Sequence, residues 1–365
     1  MKISGFEALT LSIPEDDPLA NMPEEEGRKR PVVALRLRTD SGIEGIALTF
    51  YAGKMTGSLR KAVDELAELT VGMDPLRIEA ITAKLRAGTG DGCGPGGIFT
   101  LAASAIDIAL WDIKGKALNQ PLWRLLGGHR DRVPTYASGS LRRGLTDNQV
   151  QRAAQILVQK GFKEMKTQMA LPGNPTPADE VRRVRVVREA IGPDIKLMCD
   201  INQRWRPDQA IDIGSRVEDV GLFWLEDVTA ADDFQGLARV TAALKTPIAG
   251  GEYLYGIAPF AQMIRNHSVD IPMIDIVRAG GVTPWMKIAG MAEAFNLPVV
   301  SHVMPEILCH LIAACPNGLT VEYMPWMLAL YEETPAIEDG MLVLPEKPGL
   351  GLKFDEKALA SFKVG

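Results

Sequence analysis

Residues 195–252 hold the pattern that decides the fold: IKLMCD at 195–200, LFWLE at 222–226 and TPIAGGE at 246–252. Each stretch is a short apolar run that ends on a carboxylate, and the acids recur at a constant interval, 226 − 200 = 26 and 252 − 226 = 26. Amphipathic segments of helix length separate the runs, as is typical of strands that alternate with helices. The interval therefore corresponds to one strand–helix unit, and the three acids end consecutive strands.

The same rhythm extends over the chain from residue 133 onward. Five further apolar runs of strand length lie at 133–136, 163–167, 269–274, 297–301 and, more weakly, 319–323. Eight strand candidates with helices between them predict an α/β fold with a (β/α)7–8 barrel of the TIM type. An open doubly wound sheet is the rival architecture, but it rarely contains as many repeats.

The chain before residue 129 follows a different pattern. Residues 31–38 and 43–48 flank the turn TDSG, which predicts an antiparallel hairpin. The pattern turns helical from about 58 to 87, and 101–116 predicts a further helix with one buried face. That face carries Ala102, Ile106, Ala109 and Ile113. These elements predict an N-terminal α+β domain, in which we expect residues 14–30 to form a mobile loop and the glycine-rich stretch 88–97 a flexible connection.

Composition narrows the classes of function. Hydrophobic residues make up 46% and charged residues 24%, as in ordinary globular proteins, and the formal charge of −6 argues against a nucleic-acid partner, which requires a basic surface. The chain shows neither a signal segment nor a run that could cross a membrane, so we expect a cytoplasmic protein without a membrane partner. Four cysteines, Cys93, Cys199, Cys309 and Cys315, form no metal-binding pair motif and no disulfide framework.

The three acids at the strand ends predict a metal site. Asp200, Glu226 and Glu252 would converge at the C-terminal mouth of the barrel, where active sites of this architecture lie. Converging carboxylates repel one another unless a cation neutralises them, and hard oxygen ligands suit Mg²⁺. Any one of these acids is better explained as a helix N-cap or a surface group, but three acids in phase favour the metal.

The next two strand candidates end on Asp275 and His302. Adjacent strand ends allow the carboxylate to hold and polarise the imidazole, which raises its basicity and fixes its orientation, as a general base requires. An isolated histidine is more often structural. The phase of His302 with the metal acids favours the catalytic interpretation.

Two flanking strands add candidate residues. Lys166 and Gln168 share one face of the second strand, and Lys166 is placed to stabilise negative charge that develops on a substrate. The alternative is a lysine that extends its amine to solvent. Glu322 ends the last strand candidate, where it would face a substrate carboxylate or, as the alternative, lie on the surface.

Several long motifs then occur in a familiar order. They are DIALWDIKGK at 107–116, LLGG at 125–128, GFKEMK at 161–166, DINQ at 200–203, WLED at 224–227, GE at 251–252, Asp275 with RAGG at 278–281, SH at 301–302, VE at 321–322 and PGLG at 348–351. With these motifs the chain resembles the enolase superfamily, and within it the mandelate racemase subgroup, over nearly its whole length.

The resemblance implies an enzyme that uses Mg²⁺ and removes the α-proton of a small-molecule carboxylate substrate. It implies a capping domain at 1–128, a barrel at 129–325, a C-terminal segment at 326–365 that returns to the capping domain, and a homo-oligomer. Loops of the capping domain, at 14–30 and near Tyr51, would close over the barrel and set the specificity. We expect Asn202 and Ser138 to be further substrate contacts.

One departure from the family pattern shapes the functional hypothesis. The second strand in the family often reads Lys-x-Lys, with the second lysine as a base, whereas this chain has Gln168 there. Glutamine cannot accept a proton at a useful rate, so only His302 remains as a base. We therefore predict a lyase that dehydrates a sugar acid or related α-hydroxy acid to a 2-keto-3-deoxy acid. The alternatives are a racemase, epimerase or cycloisomerase of the same superfamily, and a catalytically inactive metal-binding barrel.

Overall fold

The structure, a computed structural model, describes residues 1–15, 17–22, 29–51, 53–89 and 94–364. The strands are β1 (Ile3–Pro14), β2 (Lys29–Thr39), β3 (Glu44–Thr49), β4 (Arg132–Leu141), β5 (Glu164–Gln168), β6 (Lys196–Asp200), β7 (Trp224–Glu226), β8 (Ile248–Gly250), β9 (Ile271–Asp275), β10 (Val300–His302), β11 (Val321–Tyr323), β12 (Ile337–Glu338) and β13 (Met341–Val343). The α-helices are α1 (Thr56–Glu68), α2 (Ile78–Gly88), α3 (Gly97–Ala117), α4 (Leu122–Leu125), α5 (Asp147–Gln159), α6 (Pro177–Ile191), α7 (Pro207–Ser215), α8 (Phe234–Ala243), α9 (Ala258–Arg265), α10 (Ile276–Ala279), α11 (Val282–Ala294), α12 (Pro305–Ala314) and α13 (Glu356–Phe362).

A parallel barrel forms the larger part of the molecule. Strands β4 to β10 pair in sequence order, and β11 returns to pair with β4, all in parallel. A parallel bridge between Val299 and Gly318 closes the ring between β10 and β11. The predicted barrel is thus confirmed, with a strand at each of the eight predicted positions, and the open doubly wound sheet is excluded.

The helices around the barrel begin at capping residues and bury one apolar face. Thr146 caps α5 and Thr176 caps α6, each in a capping box with the residue three positions on, so the first N–H groups of both helices have acceptors. Along α5, buried positions recur at helical spacing, with Val150, Ala153, Ala154 and Leu157 inside. That apolar face packs against β4 and against the neighbouring helix α6.

Apolar side chains fill the barrel interior below its mouth. The buried set comprises Tyr136, Met198, Trp224, Ala249, Ile271, Met273 and Val300. The rings of Tyr136 and Trp224 meet edge to face, with centroids 5.4 Å apart. The interior is therefore packed, and the polar ends of the strands lie above a closed apolar floor.

The capping domain has the predicted α+β composition. Strands β1, β2 and β3 form an antiparallel sheet, which includes the predicted hairpin of β2 and β3. The stretch predicted to be helical from 58 to 87 is two helices, α1 and α2, because Gly72 takes a φ of +82° and Pro75 follows shortly after it. Glycine is suited to that backbone conformation, whereas proline cannot continue a helix.

The two segments predicted to be mobile are partly regular. Strands β1 and β2 continue their pairing as far as Pro14 opposite Lys29, so the ends of the predicted loop belong to the sheet. Residues 16 and 23–28 of that loop, and residues 90–93 of the glycine-rich stretch, lie outside the described residues. Gly88 ends α2 and Gly97 begins α3, so this stretch connects two helices.

Buried carboxylates join the capping domain to the rest of the chain. Asp112 on α3 accepts hydrogen bonds from the backbone N–H groups of Ile46 (3.0 Å) and Leu350 (2.9 Å). Asp107 accepts from the N–H of Thr283 at 3.0 Å, and a Cβ at Gly281 would lie 2.4 Å from this carboxylate. These contacts link the capping domain to the C-terminal segment and to the start of α11.

The boundaries between the capping domain, the barrel and the C-terminal segment, at residues 128 and 325, stay a prediction.

Two other predictions concern absences. Among the described helices, none has the length and apolar character that a membrane crossing requires. Cys199, Cys309 and Cys315 are buried free thiols, and Cys93 lies outside the described residues.

Candidate active site

Strand register brings the predicted site residues to the mouth of the barrel. Gln168 lies opposite Asp200 in the β5–β6 pair, and Asp200 lies opposite Glu226 in the β6–β7 pair. On the other side of the ring, His302 of β10 lies opposite Asp275 of β9. Since all these strands are parallel, their last residues share one rim of the barrel.

An acidic cluster occupies the rim at β7 and β8. Oxygen atoms of Glu226, Asp227 and Glu252 lie within 4.8 Å of one another, and all three side chains are buried. Asp200 lies beside this cluster, and its two oxygens accept hydrogen bonds from the backbone and side chain of Asn202 at 2.8 and 2.7 Å. Asp227 was not predicted from the sequence, although the adjacent acids of WLED were a signal for it.

The charges of this cluster are poorly compensated. Burial raises the pKa of Asp200 to about 6 and that of Glu226 to about 8; Lys166 opposes both rises and neighbouring carboxylates add to them. Burial also raises the pKa of Asp227, and its Oδ2 has no hydrogen-bond partner among the described residues. An all-oxygen set with a buried atom that lacks a partner fits a hard divalent cation.

Lys166 and Glu322 form a buried ion pair at the side of the cluster. The Lys166 amine lies 2.5 Å from Glu226 and 2.8 Å from Glu322. Burial favours the neutral acid, but Lys166 and then His302 outweigh it and lower the pKa of Glu322 to about 2. Ser138 and the N–H of Val303 both donate to Glu322 at 2.7 Å. Lys166 and Glu322 are thus held rigidly, and the hydroxyl of Ser138 contacts Glu322.

His302 carries a complete set of partners for a base. Its Nδ1 lies 2.6 Å from Asp275, and its Nε2 lies 3.2 Å from Glu252. Burial lowers the pKa of His302, but Glu252 and Asp275 outweigh burial and raise it to about 9. Asp275 in turn accepts from the N–H of Arg278 at 2.7 Å, and its side chain is 1% exposed. The aspartate therefore fixes the ring and leaves Nε2 directed at the acidic cluster.

The opposite side of the mouth carries an amide network. Gln168 donates to Asn202 Oδ1 at 3.3 Å and accepts from the N–H of Arg143 at 3.3 Å. The Arg143 guanidinium also donates to Asn202 Oδ1. At neutral pH neither an amide nor a guanidinium accepts a proton. Among the described residues, this side offers hydrogen bonds and positive charge instead of a base.

A cavity of about 650 Å³ lies between these two sides. Of the predicted residues, the cavity is lined by Tyr51, Lys166, Gln168, Asp200, Asn202, Glu252, His302 and Glu322. Further lining residues that were not predicted include Lys29, Arg30, Arg142, Arg143, Arg204, Tyr253 and Arg278. Glu226 and Asp275 lie behind the lining, and Ser138 is not part of it. Arg142, Arg143 and Arg204 could be noticed in the sequence only as residues that follow strands β4 and β6, which is a weak signal, whereas Arg278 belongs to the RAGG motif.

Two parts of the chain match known protein families. Residues 14–127 match the family described as mandelate racemase / muconate lactonizing enzyme, N-terminal domain, and residues 149–358 match the family described as enolase C-terminal domain-like. The chain belongs to the enolase superfamily, mandelate racemase subgroup. The family resemblance predicted from the motifs is thereby confirmed.

Characterised members of this superfamily resemble the chain over most of its length. An L-talarate/galactarate dehydratase of Salmonella typhimurium is 33% identical over 95% of this chain and 87% of that protein. A 3,6-anhydro-alpha-L-galactonate cycloisomerase of Streptomyces coelicolor is 33% identical over 92% of each chain. The crystal structure of an L-talarate dehydratase from Polaromonas sp. JS666, complexed with Mg and L-glucarate, has a TM-score of 0.90 at 30% identity and covers 100% of this chain and 98% of its own. The superfamily relatives therefore include both lyases and isomerases.

Proposed function

We propose that this enzyme is a Mg²⁺-dependent dehydratase that converts a sugar acid, or a related acid with α- and β-hydroxyl groups, to a 2-keto-3-deoxy acid. The observation that carries the proposal is the asymmetry of the cavity. His302 and Asp275 provide a base on one side, and Gln168 stands on the other side. Relatives that are acid-sugar dehydratases, one of them crystallised with Mg, support the same assignment.

The acidic cluster would hold the metal ion. Asp200, Glu226 and Glu252 are the proposed ligands, and Asp227 adds a fourth buried carboxylate beside them. When bound, Mg²⁺ supplies positive charge that stabilises the negative charge developing on the substrate carboxylate. Among the neighbouring groups, Glu252 makes the largest contribution that raises the pKa of His302, so the proposed metal ligand and the proposed base are in direct contact.

His302 would remove the α-proton. Its Nδ1 is held by Asp275, so the neutral ring presents Nε2 as the proton acceptor. Asp275 stays ionised, because Arg278 and His302 outweigh burial and lower its pKa. The aspartate thus stabilises the imidazolium that forms when His302 takes the proton.

Lys166 and Glu322 would position the reacting carboxylate. Both line the cavity, and both are anchored by the ion pair between them. The Lys166 amine is the nearest described cation to the acidic cluster, so it would bind a carboxylate oxygen on which negative charge grows. Asn202, Tyr51 and Gln168 line the same cavity and are proposed substrate contacts. Ser138 would act through Glu322, to which it donates.

The proposed reaction uses these residues and protons exchanged with solvent. The C–H bond at C2 breaks and its proton moves to His302 Nε2. The C–O bond at C3 then breaks, and the departing hydroxide takes that proton to leave as water. The resulting enol loses its O–H proton to solvent and takes up a proton from solvent at C3, which gives the 2-keto acid. One residue therefore serves as base and then as acid, and no second base is required.

The test is an assay of 2-keto acid formation with a panel of acid sugars and Mg²⁺. For an active substrate, His302→Asn should lower kcat by about 10²- to 10⁴-fold, the usual contribution of a general base. His267→Asn is the matched control, since His267 is exposed and outside the cavity. Full turnover by His302→Asn would show that the base is wrongly assigned.

An isomerase is the second candidate function. The similarity to a cycloisomerase is as high, at 33% identity, as that to the dehydratase. Loss of substrate without 2-keto acid, together with an isomeric product, would favour this candidate. Ligand binding without α-proton exchange from any acid would instead indicate a barrel that has lost catalysis.

A further inference from the structure

Arg143 is a buried guanidinium that forms no ion pair with a described carboxylate, although Asp200 and Glu180 lie within electrostatic range and oppose the lowering of its pKa by burial. Its side chain follows β4, lines the cavity and is 9% exposed. One nitrogen donates to Asn202, but Nε and Nη1 have no hydrogen-bond partner among the described residues. A buried charge is normally paired, because leaving it unpaired costs several kcal/mol. The free enzyme therefore keeps donors here that lack acceptors.

A second arginine faces the same region. Arg204 follows β6, is exposed and lines the cavity, and it forms no ion pair with any described carboxylate. After burial, the charge of Arg204 is the largest influence that lowers the pKa of Arg143, which places the two guanidinium groups within electrostatic range. Two cations that repel each other at a cavity wall favour an anion between them.

Three other cations that line the cavity are paired with carboxylates. Lys166 pairs with Glu226 and Glu322, and Arg278 pairs with Asp275. Arg30 of the capping domain pairs with Glu15. Arg143 differs from these three cations because it is buried and keeps two N–H groups without a partner among the described residues, and Arg204 adds an exposed charge beside it.

The loop that carries Arg143 is held in place. Buried Arg183 donates to the backbone carbonyls of Arg142 and Leu145 and lies 3.3 Å from Asp147. The N–H of Arg143 itself donates to Gln168. These bonds fix the loop before any ligand arrives, as expected of a preorganised binding group.

The position of Arg143 relative to the acidic cluster indicates what it would bind. Asn202 bridges the two, since it accepts from Arg143 and donates to Asp200. Arg143 thus lies two hydrogen bonds from a proposed metal ligand, on the side of the cavity away from His302. A substrate whose reacting carboxylate lies at the cluster would extend its remaining carbons towards the two arginines.

We propose that Arg143, assisted by Arg204, binds a second carboxylate at the far end of the substrate, so that the enzyme selects dicarboxylic sugar acids over monocarboxylic ones. This inference rests on the proposed function, because it assumes that the first carboxylate lies at the acidic cluster. A planar guanidinium with two unused N–H directions matches a carboxylate in bidentate fashion. Gln168, which donates to Asn202, would help keep that guanidinium in place.

The experiment compares two six-carbon acids of the same configuration, one with a carboxylate at C6 and one with a hydroxymethyl group. The kcat/KM for α-proton exchange and for 2-keto acid formation is measured with Mg²⁺ for both. The wild type should prefer the diacid by at least about 100-fold, and Arg143→Gln should raise the KM for the diacid by about 100-fold, as for loss of one partner of a buried charge pair. The monoacid should lose no more than about tenfold, the equivalent of the hydrogen bond from Arg143 to Asn202.

Further variants separate a specific role from a structural one. Arg143→Lys should recover only part of the diacid preference, because an amine lacks the bidentate geometry. Arg204→Gln, at an exposed position that tolerates substitution, should weaken the diacid alone by about tenfold. Arg265→Gln makes the same charge change at an exposed site outside the cavity and should change neither acid.

Several outcomes would overturn the inference. They are equal loss for both acids in Arg143→Gln, equal use of both acids by the wild type, and preference for a monoacid phosphorylated at C6. Calorimetric binding of the two acids in the presence of Mg²⁺ keeps the test independent of catalysis. If no acid exchanges its α-proton, the proposed function fails; tighter binding of the diacid that disappears in Arg143→Gln would still support the arginine site.

Discussion

The two sides of the cavity are built from equivalent strand ends but carry opposite chemistry. On the β9–β10 side, His302 is held by Asp275 and directs Nε2 at the acidic cluster. On the β5–β6 side, Gln168 and Asn202 form an amide network with Arg143. The first side can accept a proton, whereas the amides and the guanidinium of the second side form hydrogen bonds but do not accept a proton at neutral pH. The barrel thus fixes where groups stand, and the residue type at each strand end decides which face of a substrate can lose a proton.

The two sides also differ in how their charges are balanced. Asp275 and His302 neutralise one another within the protein, and Arg278 adds a further contact to Asp275. Arg143 has no such partner among the described residues. We call the β9–β10 side, with His302 and Asp275, the base side and the β5–β6 side, with Gln168 and Asn202, the amide side. We infer that the charges of the base side are balanced before the substrate binds, whereas the charge of Arg143 on the amide side is balanced by the substrate.

The largest expected effect comes from the acidic cluster, which serves both sides. Removal of Mg²⁺ with a chelator should lower activity by about 10³-fold or more, since a metal ion contributes several kcal/mol of charge stabilisation. Glu252→Gln should do the same and weaken Mg²⁺ binding measured by calorimetry. Activity should return on adding Mg²⁺ to the wild type only. Unchanged turnover after chelation would show that the reaction does not require the metal ion.

A smaller effect is expected when His302 is kept but the carboxylate that orients it is removed. Asp275→Asn should lower kcat by roughly 10- to 100-fold, the equivalent of the 1.5–3 kcal/mol of a hydrogen bond to a charged group. The KM should change little, because Asp275 lies behind the cavity lining. Steady-state kinetics measure both parameters. A rise in KM at constant kcat would mean that Asp275 acts in binding instead of orienting the base.

The amide side should tolerate substitution better. Gln168→Ala removes two neutral hydrogen bonds of 3.3 Å, so we expect kcat to fall by no more than about tenfold. The same assay on the same substrate gives the ratio of the kcat losses caused by Gln168→Ala and by His302→Asn. A loss as large as that of His302→Asn would mean that Gln168 takes part in the chemistry.

The smallest expected effect concerns stability on the base side. Glu306, near the start of α12, is buried with both oxygens lacking a partner among the described residues, and burial raises its pKa from 4.5 to about 7. The folded state therefore holds this proton more tightly than the unfolded chain does. The resulting stabilisation is complete below the unfolded pKa of 4.5 and is lost as the pH rises through 7.

Thermal unfolding between about pH 5 and about pH 8 measures this contribution. The Tm of the wild type should fall over this window by a few degrees more than that of Glu306→Gln, which carries no titrating proton. Identical pH slopes would show that Glu306 is ionised or partnered in the folded protein.

The sequence predicts the barrel well because its signals are local and repeated. A short apolar run in the sequence predicts each of the eight strands. The interval of 26 residues between the three acids places these acids at one rim of the barrel. The break between α1 and α2 was missed, because apolar spacing continues across it while Gly72 turns the chain. Strand register likewise brings His302 opposite Asp275, as the order of the motifs predicts.

Loop residues are harder to predict because their placement depends on tertiary contacts. Arg183 holds the loop of Arg143 through two backbone carbonyls, and no period in the sequence shows this contact. Asp227 joins the acidic cluster because its backbone takes a φ of +45° after β7. Ser138 was expected at the substrate, but its hydroxyl is engaged by Glu322 through a contact 184 residues distant in sequence. The strand ends are thus predictable, whereas the contacts between loops are not.

The central claim is that protons leave from one side only. Incubation of the enzyme with an active sugar acid in D₂O, followed by NMR of recovered substrate and product, tests it most directly. We predict deuterium in the 2-keto acid, no α-epimer of the substrate, and no α-proton exchange in His302→Asn. Formation of the α-epimer by the wild type, or continued exchange in His302→Asn, would contradict the account.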